Sequence, residues 1–451
     1  MMIIKPGAHV AIYGFFALVL LTVVSCGESP HAVKVAPKPP PTTSPQQASL
    51  PGTPIPTPQV SQLSPVIDQL TQQVLLNIRE HGWNASAMDH GQTTGGLYIN
   101  WKMDDPSQTN ALKTGSDGET SGSHDPQVEL YYLNALAEYK TLHPQDQSFN
   151  GDIQKALPYI RADFANYNVP KGWIYFYLLR DGSLLHDDQL VNEAHLAATN
   201  FYTHWYDPNA GLVYNRAHSP GVYNTEHALN CAAALIDAGK RWNEPTWVTA
   251  GEEGIDHVIS VALDPQTHLF YNNVNVLADG SQQVLNHQAK PSTQGNGVEA
   301  LLTAYNLTHN QHYLDVAGQV LQSMFSSRLW DDVNGGLFFA LDLDTNVLEQ
   351  SYKETRAQTL SLIALHRYNL LMHQLGQPQI QMEKETKLID VLSHNFYQST
   401  YHGFFYRMTP TFQVYRSHAG TGIGYEDYFT TEAMGTALDA LQQTEFASLS
   451  I

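Results

Sequence analysis

LWDDVNGGLFFALDLD, residues 329–344, is the stretch on which the reading of this chain turns. It joins an adjacent acid pair, a glycine pair, aromatics and two further aspartates. Paired acids beside aromatics suggest sugar chemistry, yet the stretch has relatives. WYDPNAGLVYN (205–215) gives an acid, a turn, a glycine and apolar or aromatic residues. ALDPQTHLFYNN (262–273) does the same with His268 in the place of the glycine. NFYQSTYHGFFYRM (395–408) repeats the shape without the acid, MDHGQTTGGLYINWK (88–102) is an N-terminal version, and NVPKGWIYFYLLRDGS (168–183) is a distorted one. The last three clear copies are about 67 residues apart. A catalytic residue occurs once in a site, whereas a turn former occurs once per repeat. Asp331 and Asp332 therefore read as turn residues, with Gly335 and Gly336 letting the chain reverse.

Helical patterns bracket each copy. Before the copies lie segments such as WVTAGEEGIDHVISVAL (247–263) and YLDVAGQVLQSMFSSRLW (313–330); after them lie segments such as TEHALNCAAALIDAGKRW (225–242) and YKETRAQTLSLIALHRYNLL (352–371). Apolar residues recur at three and four, the helical period. The helices before the copies are amphipathic. Those after them are rich in Ala, Leu and small residues all round, the signature of a helix buried on most sides. Each unit is thus an outer helix, a turn or short hairpin, and an inner helix. Counting an irregular one near 180–190, about 390 residues are shared among twelve helices, roughly 32 each. One hairpin cannot cover its own apolar face, so the units must close on one another. The expected fold is all-α, a toroid of six helical hairpins with short β-hairpin turns between outer and inner helices. The alternative is an open solenoid.

TQGNGVEALLTAYNLTHNQHYLDVAGQVLQSMFSSRLWDDVNGGLFF (293–339) and YKETRAQTLSLIALHRY (352–368) resemble the repeating units of the six-hairpin (α/α)6-barrel superfamily. The resemblance is to α-1,6-mannanase-like and N-acylglucosamine 2-epimerase-like families, and it covers nearly the whole chain after the N-terminal segment. It implies a carbohydrate-active protein, but many activities share the architecture.

The N-terminus carries a different signal. An apolar run from about Val10 to Val24 is short for a membrane span and ends in small residues before a cysteine. Val23-Val24-Ser25-Cys26, followed by Gly27, resembles the lipobox of bacterial lipoproteins, which implies cleavage before Cys26 and lipidation of its sulfur. Residues 27–59 are dominated by Pro, Thr and Ser and read as an extended tether. The expected organisation is a signal peptide over 1–26, a tether over 27–59 and a barrel domain over 60–447. An anchor plus a tether places the barrel outside the cytoplasmic membrane, and a monomer is expected. Cys231, the other of the two cysteines, lies in an apolar helical stretch and reads as a small buried hydrophobe. A formal charge of −20 argues against a nucleic-acid partner. No close metal-ligand spacing appears among the 21 histidines, and DLDTN (342–346) is too short to claim calcium; no cofactor is expected.

In a closed ring the ligand should meet the N-terminal ends of the inner helices. Five such ends carry an acid flanked by aromatic, basic or amide groups: SGSHDPQVELYY, GVYNTEHAL, STQGNGVEAL, QSYKETRAQ and GIGYEDYFTTEAM. Helix capping and the helix dipole explain some of these acids, but not the Tyr, Lys, Arg and Asn beside them. The substrate-binding candidates are Asp125, Glu129, Tyr223, His227, Asn296, Glu299, Lys353, Glu354, Arg356, Glu426, Asp427 and Tyr428. Glycoside cleavage needs one acid to protonate the leaving oxygen and another as nucleophile or base. Glu226 is one candidate. His186-Asp187-Asp188 resembles the aspartate pair at a helix start in the α-1,6-mannanase-like family, which implies catalysis by Asp187 and Asp188. The aromatics expected after that pair are replaced by Gln189, Leu190 and Val191. WIYFYLL (173–179) reads as a packed strand.

The leading expectation is a surface-anchored glycoside hydrolase. Its rivals are an epimerase-type isomerase using His124, His227 and His418, and a non-catalytic glycan-binding lipoprotein.

Overall fold

A computed structural model describes residues 59–60, 63–89, 92–93, 95–110, 126–164, 169–214, 221–415 and 428–448. Twelve helices run through these residues in outer–inner order. The outer ones are α1 (Pro65–Asn77), α3 (Asn150–Phe164), α5 (Asp188–Asn200), α7 (Pro245–Ala262), α9 (Gln311–Ser326) and α11 (Met382–Asp390). The inner ones are α2 (Pro126–Leu142), α4 (Gly172–Leu185), α6 (Thr225–Trp242), α8 (Pro291–Thr308), α10 (Thr355–Gln374) and α12 (Thr431–Gln443). Each inner helix packs on the next, and α12 packs back on α2, so the ring closes as an (α/α)6 toroid rather than extending as a solenoid.

The difference between the two sets follows from composition. Along α6 every residue from Ala228 to Gly239 is buried, because Ala, Cys and Gly let neighbours approach from both sides. The outer helices bury one stripe: α9 buries Tyr313, Leu314, Val316, Ala317, Val320 and Leu321 and leaves its other face to solvent. Approach is closest where α4 begins. A Cβ added to Gly172 would lie 2.1 Å from the carbonyl carbon of Asn230, so α4 starts in backbone contact with α6.

Five of the six repeated copies are hairpins between outer and inner helices; the distorted one at 168–183 falls largely in α4. Tyr206–Asp207 pairs with Leu212–Val213, Trp83–Asn84 with Gly96–Leu97, and Tyr397–Gln398 with Gly403–Phe404. Single bridges, Leu263 to Phe270 and Trp330 to Leu337, close the other two. Asp331 accepts the amides of Val333 (2.9 Å) and Asn334 (3.1 Å) on one carboxylate oxygen and Lys353 Nζ (2.8 Å) on the other. Gly335 and Gly336 both sit at φ +81°, where a side chain is strained. Asp207 and Asp264 close their own turns in the same way, at 2.9 Å to Asn209 N and 2.8 Å to Thr267 N. Asp332 is exposed and makes no turn bond.

Two helices differ from the sequence reading. WIYFYLL is not a strand but the first half of α4, and α3 lies where no helix was expected. Aromatic and β-branched residues favour strands on pleated, half-buried surfaces; here a wholly helical neighbourhood overrides that preference. At the foot of the ring, Gln59–Val60 pairs antiparallel with Phe446–Ser448, bringing the two ends of the described domain together.

Asp181, in α4, is wholly buried and neither carboxylate oxygen has a hydrogen-bond partner. Burial pushes its pKa well above the ordinary value, and Arg180 only partly offsets this. A carboxyl raised in the folded state contributes most below its unfolded pKa and loses stability as pH rises. Asp181→Asn should therefore be more stable than wild type at neutral pH, with the difference vanishing near about pH 4. Thermal unfolding across that range checks this; a wild-type advantage at pH 7 would contradict it.

Candidate active site

The inner helices enclose a central cavity of about 130 Å³. Its wall near the helix N-termini includes Tyr131, Trp173, Asn230, Asn296 and Arg356; deeper lie Glu138, Arg180, Glu299, Arg367 and Asp439, and Phe446 of the foot strand contributes to the lining.

At the N-terminal end two lining residues, Asn296 and Arg356, hold Glu226, in the first turn of α6, just outside the lining. Asn224 caps this helix by accepting the Glu226 amide at 2.9 Å. Arg356, from the first turn of α10, donates to Glu226 Oε1 at 2.8 Å, and Asn296 of α8 donates to Oε2 at 3.2 Å. His227 Nε2 lies 3.6 Å from Oε1. Burial pushes the Glu226 carboxyl up, but Arg356, His227 and Asn296 outweigh it and hold the pKa at about 2. Glu226 is a buried, permanently charged carboxylate. Tyr131 and Trp173 stack nearby with ring centroids 5.2 Å apart.

Deeper in the cavity the balance reverses. Glu299 lies one turn beyond Asn296 on the same face of α8 and is ion-paired to Arg367 of α10. Burial nevertheless keeps its pKa above the ordinary value, and Oε1 has no hydrogen-bond partner. Glu138 is pushed up further, first by burial and then by the carboxylate of Asp439, with which it shares a hydrogen bond. Arg180, 3.5 Å from Glu138, offsets this only in part. Asp439 accepts from Tyr177 Oη at 2.5 Å and from Gln443, and pairs with Arg180 at 3.2 Å.

Of the sequence candidates, Glu226, Asn296, Glu299 and Arg356 come together here, with His227 beside them. Others do not. Asp187 caps α5, accepting the amides of Gln189 and Leu190, and is ion-paired to Arg161; Asp188 is exposed. Both follow the C-terminal end of α4, so they lie at the foot of the ring, opposite the N-terminal end that carries Glu226. The pair is a capping device, not a partner of Glu226. Lys353 is wholly buried and bound to Asp331, to the Gly335 carbonyl (2.6 Å) and to the Pro410 carbonyl (3.0 Å), a turn clamp rather than a ligand contact. Glu354 is held by Arg407 at 2.7 and 2.9 Å. Glu129 accepts the Leu97 amide at 2.8 Å and fixes the first turn copy against α2. Tyr223 is buried with its hydroxyl on Gln282 at 3.0 Å. Tyr428 begins a strand paired with Lys102 and does not line the cavity. Asp125, Glu426, Asp427 and Cys26, like His124 and His418, lie outside the described residues.

Glu138, Arg180, Arg367 and Asp439 escaped the sequence reading because they sit in mid-helix. Their signal was a charged residue inside an otherwise apolar inner helix, as in YYLNALAEYK or IYFYLLRDG. Cys231 is buried and its thiol is pushed far above the ordinary pKa by burial, which suits no nucleophile. Among the described residues no group of three or more His, Cys, Asp or Glu side chains is placed to hold a metal ion.

No family model matches the chain, and no curated protein matches it in sequence. Solved structures do match in fold. The α-1,6-mannanase of Salegentibacter sp. HEL1_6, as an inactive variant with two consecutive aspartates changed to asparagine and in complex with α-1,6-mannotriose, superposes with a TM-score of 0.59 at 12% identity, covering 84% of this chain and 99% of that one. An unsaturated glucuronyl hydrolase from Bacillus sp. GL1, described as responsible for glycosaminoglycan degradation, gives 0.59 at 14% identity over 84% and 96%. A D-mannose isomerase gives 0.56 at 11% identity over 85% and 99%. At these identities the likeness establishes the six-hairpin (α/α)6 barrel and nothing finer.

Proposed function

We propose that the chain is a glycoside hydrolase-like enzyme that cleaves an extracellular poly- or oligosaccharide and is held at the cell surface by a lipid on Cys26. The observation that carries this reading is a pair of carboxyls tuned in opposite directions, Glu299 in the cavity lining and Glu226 behind the lining residues Asn296 and Arg356. Glu226 is kept ionised by Arg356 and Asn296, and Glu299 is kept high by burial. Environments that drive two acids apart are what acid–base cleavage of a glycosidic bond requires. Asn296, which touches Glu226, is three residues before Glu299 on α8, a step of about 4.5 Å along the axis.

In this reading Glu299 donates its proton to the glycosidic oxygen as the bond to the anomeric carbon breaks and the electron pair leaves with that oxygen. The positive charge that develops at the carbon faces the fixed negative charge of Glu226. Water then adds to the carbon, and its proton restores Glu299. Tyr131 and Trp173 offer aromatic surface to a sugar ring. The mannanase and glucuronyl hydrolase of the same fold support the reaction class. The mannanase-type aspartate pair does not, because Asp187 and Asp188 lie at the foot of the ring. An isomerase would need histidines facing a sugar carbon; among the described residues none is in the cavity lining, and His227 stands beside Glu226.

Reducing-end release from a panel of neutral and acidic polysaccharides tests the proposal. Wild type should release product from at least one polymer and Glu226→Gln should not. A polymer that binds but is never cleaved would replace hydrolysis by glycan binding.

A further inference from the structure

Beside the entrance to the cavity stands a three-stranded antiparallel sheet formed by Gly221–Asn224, Asn273–Val276 and Gln282–Asn286. Its strands read GVYN, NVNV and QQVLN, without one charged residue, in a chain of net charge −20. Register assigns the two faces. Tyr223 pairs with Val274, which pairs with Val284, and Tyr223 and Val274 are buried against the barrel. The opposite face carries Val222, Asn275 and Gln283 in one row and Asn224 and Asn273 in the next, where a bulge opposite Asn273 shifts the third strand and exposes Leu285 rather than Asn286. Four of the five residues paired in these two rows are amides. The side chains of Asn273, Asn275, Gln283 and Asn286 make no hydrogen bond among the described residues, and Asn286 Oδ1 is buried without a partner. Val222 and Leu285 are exposed on the same sheet.

This face runs directly into the candidate active site. Asn224, in its second row, is the cap of α6, and Glu226 follows two residues later. A row of amides both donates and accepts, which matches a ligand made of hydroxyl groups; the three strands themselves carry no basic residue to offer counter-charge to uronates or sulfates. Val222 and Leu285 provide apolar surface for the C–H faces of sugar rings. We propose that this sheet is a track for a neutral polysaccharide, holding sugar units on one side of the bond that is broken next to Glu226. The inference rests on the hydrolase reading and adds to it a substrate class, a neutral polymer, and cleavage within a chain rather than of isolated sugars.

Affinity electrophoresis of the full-length protein in gels containing dextran, unbranched α-1,6-mannan or polygalacturonate tests the track. It is run on Glu226→Gln, so that no probe is consumed, and on Glu226→Gln combined with Asn275→Ala and Gln283→Ala. A neutral polymer should retard Glu226→Gln, polygalacturonate should not, and the added alanines should weaken retardation about tenfold. Both positions are on the exposed face of the sheet, so the fold is retained, and circular dichroism confirms it. Equal retardation with and without the alanines overturns the track, as does retardation by polygalacturonate alone or by no polymer. The hydrolase reading is judged separately: with Glu226 intact, the alanine pair should cleave short oligosaccharides at the wild-type rate and long polymers more slowly. Loss of cleavage by Glu226→Gln together with unchanged polymer cleavage by the alanine pair would sink the track and leave the reaction standing.

Discussion

Glu299→Gln lowers kcat/KM on a cleavable glycan by about 10²–10⁴-fold, the usual contribution of a positioned general acid, and, because Arg367 loses its charge partner, its unfolding midpoint is measured alongside. Glu226→Gln loses activity on a similar scale, about 10²–10³-fold or more, because the charge that faces the developing cation is gone. The glutamine is isosteric and keeps a partner for Asn296 but leaves Arg356 without its counter-charge, so circular dichroism and unfolding are measured beside activity. The pH profile separates the two roles. Glu226 must be ionised, so activity is lost only as pH falls towards about 2. Glu299 must be protonated, so activity falls as pH rises through its elevated pKa. Glu299→Gln should abolish this alkaline limb in whatever activity survives. Steady-state kinetics across pH check both, and an unchanged alkaline limb in Glu299→Gln would assign the acid to another carboxyl, with Glu138 the next candidate.

Lys353→Met costs about 3–5 kcal/mol of folding stability, the scale for removing one partner of a buried ion pair. Lys353 is wholly enclosed, with its ammonium on Asp331, two carbonyls and the faces of Phe338 and Phe412. Burial pushes the Asp331 carboxyl up, but Lys353 and the turn amides hold it below the ordinary range. Without the lysine, that charge is left with amide donors alone. The double variant Lys353→Met with Asp331→Asn should recover part of the loss. Denaturant unfolding measures this. A lysine that served substrate instead would raise KM and leave the unfolding midpoint where it was.

These two predictions divide along the line between what sequence could and could not reveal. The turn copies were legible because they repeat: one Asp closing each turn is the same local chemistry at 207, 264 and 331. Glu226, Asn296 and Arg356 were legible because they open inner helices, and helix starts face the entrance of any such ring. Lys353 has the same address but the opposite orientation. It lies in the short strand before α10, and only the pairing of Lys353 with Met408 turns its side chain into the Asp331 turn. Asp187 and Asp188 matched a familiar pattern at a helix start, yet that helix is an outer one, whose start lies at the foot. Outer and inner helices differ in surroundings more than in local propensity, so α4, rich in aromatics, read as strand. The mid-helix charges of the cavity are fixed by tertiary partners such as Arg180 with Asp439, which sequence spacing does not encode.

The most direct measurement is a crystal structure of Glu299→Gln with an oligosaccharide that wild type cleaves. The account predicts a sugar in the central cavity, the glycosidic oxygen within hydrogen-bond reach of residue 299 and the anomeric carbon facing Glu226. A glycan seated at the foot beside Asp187 and Asp188, or ordered only on the outer surface with the cavity empty, would contradict it.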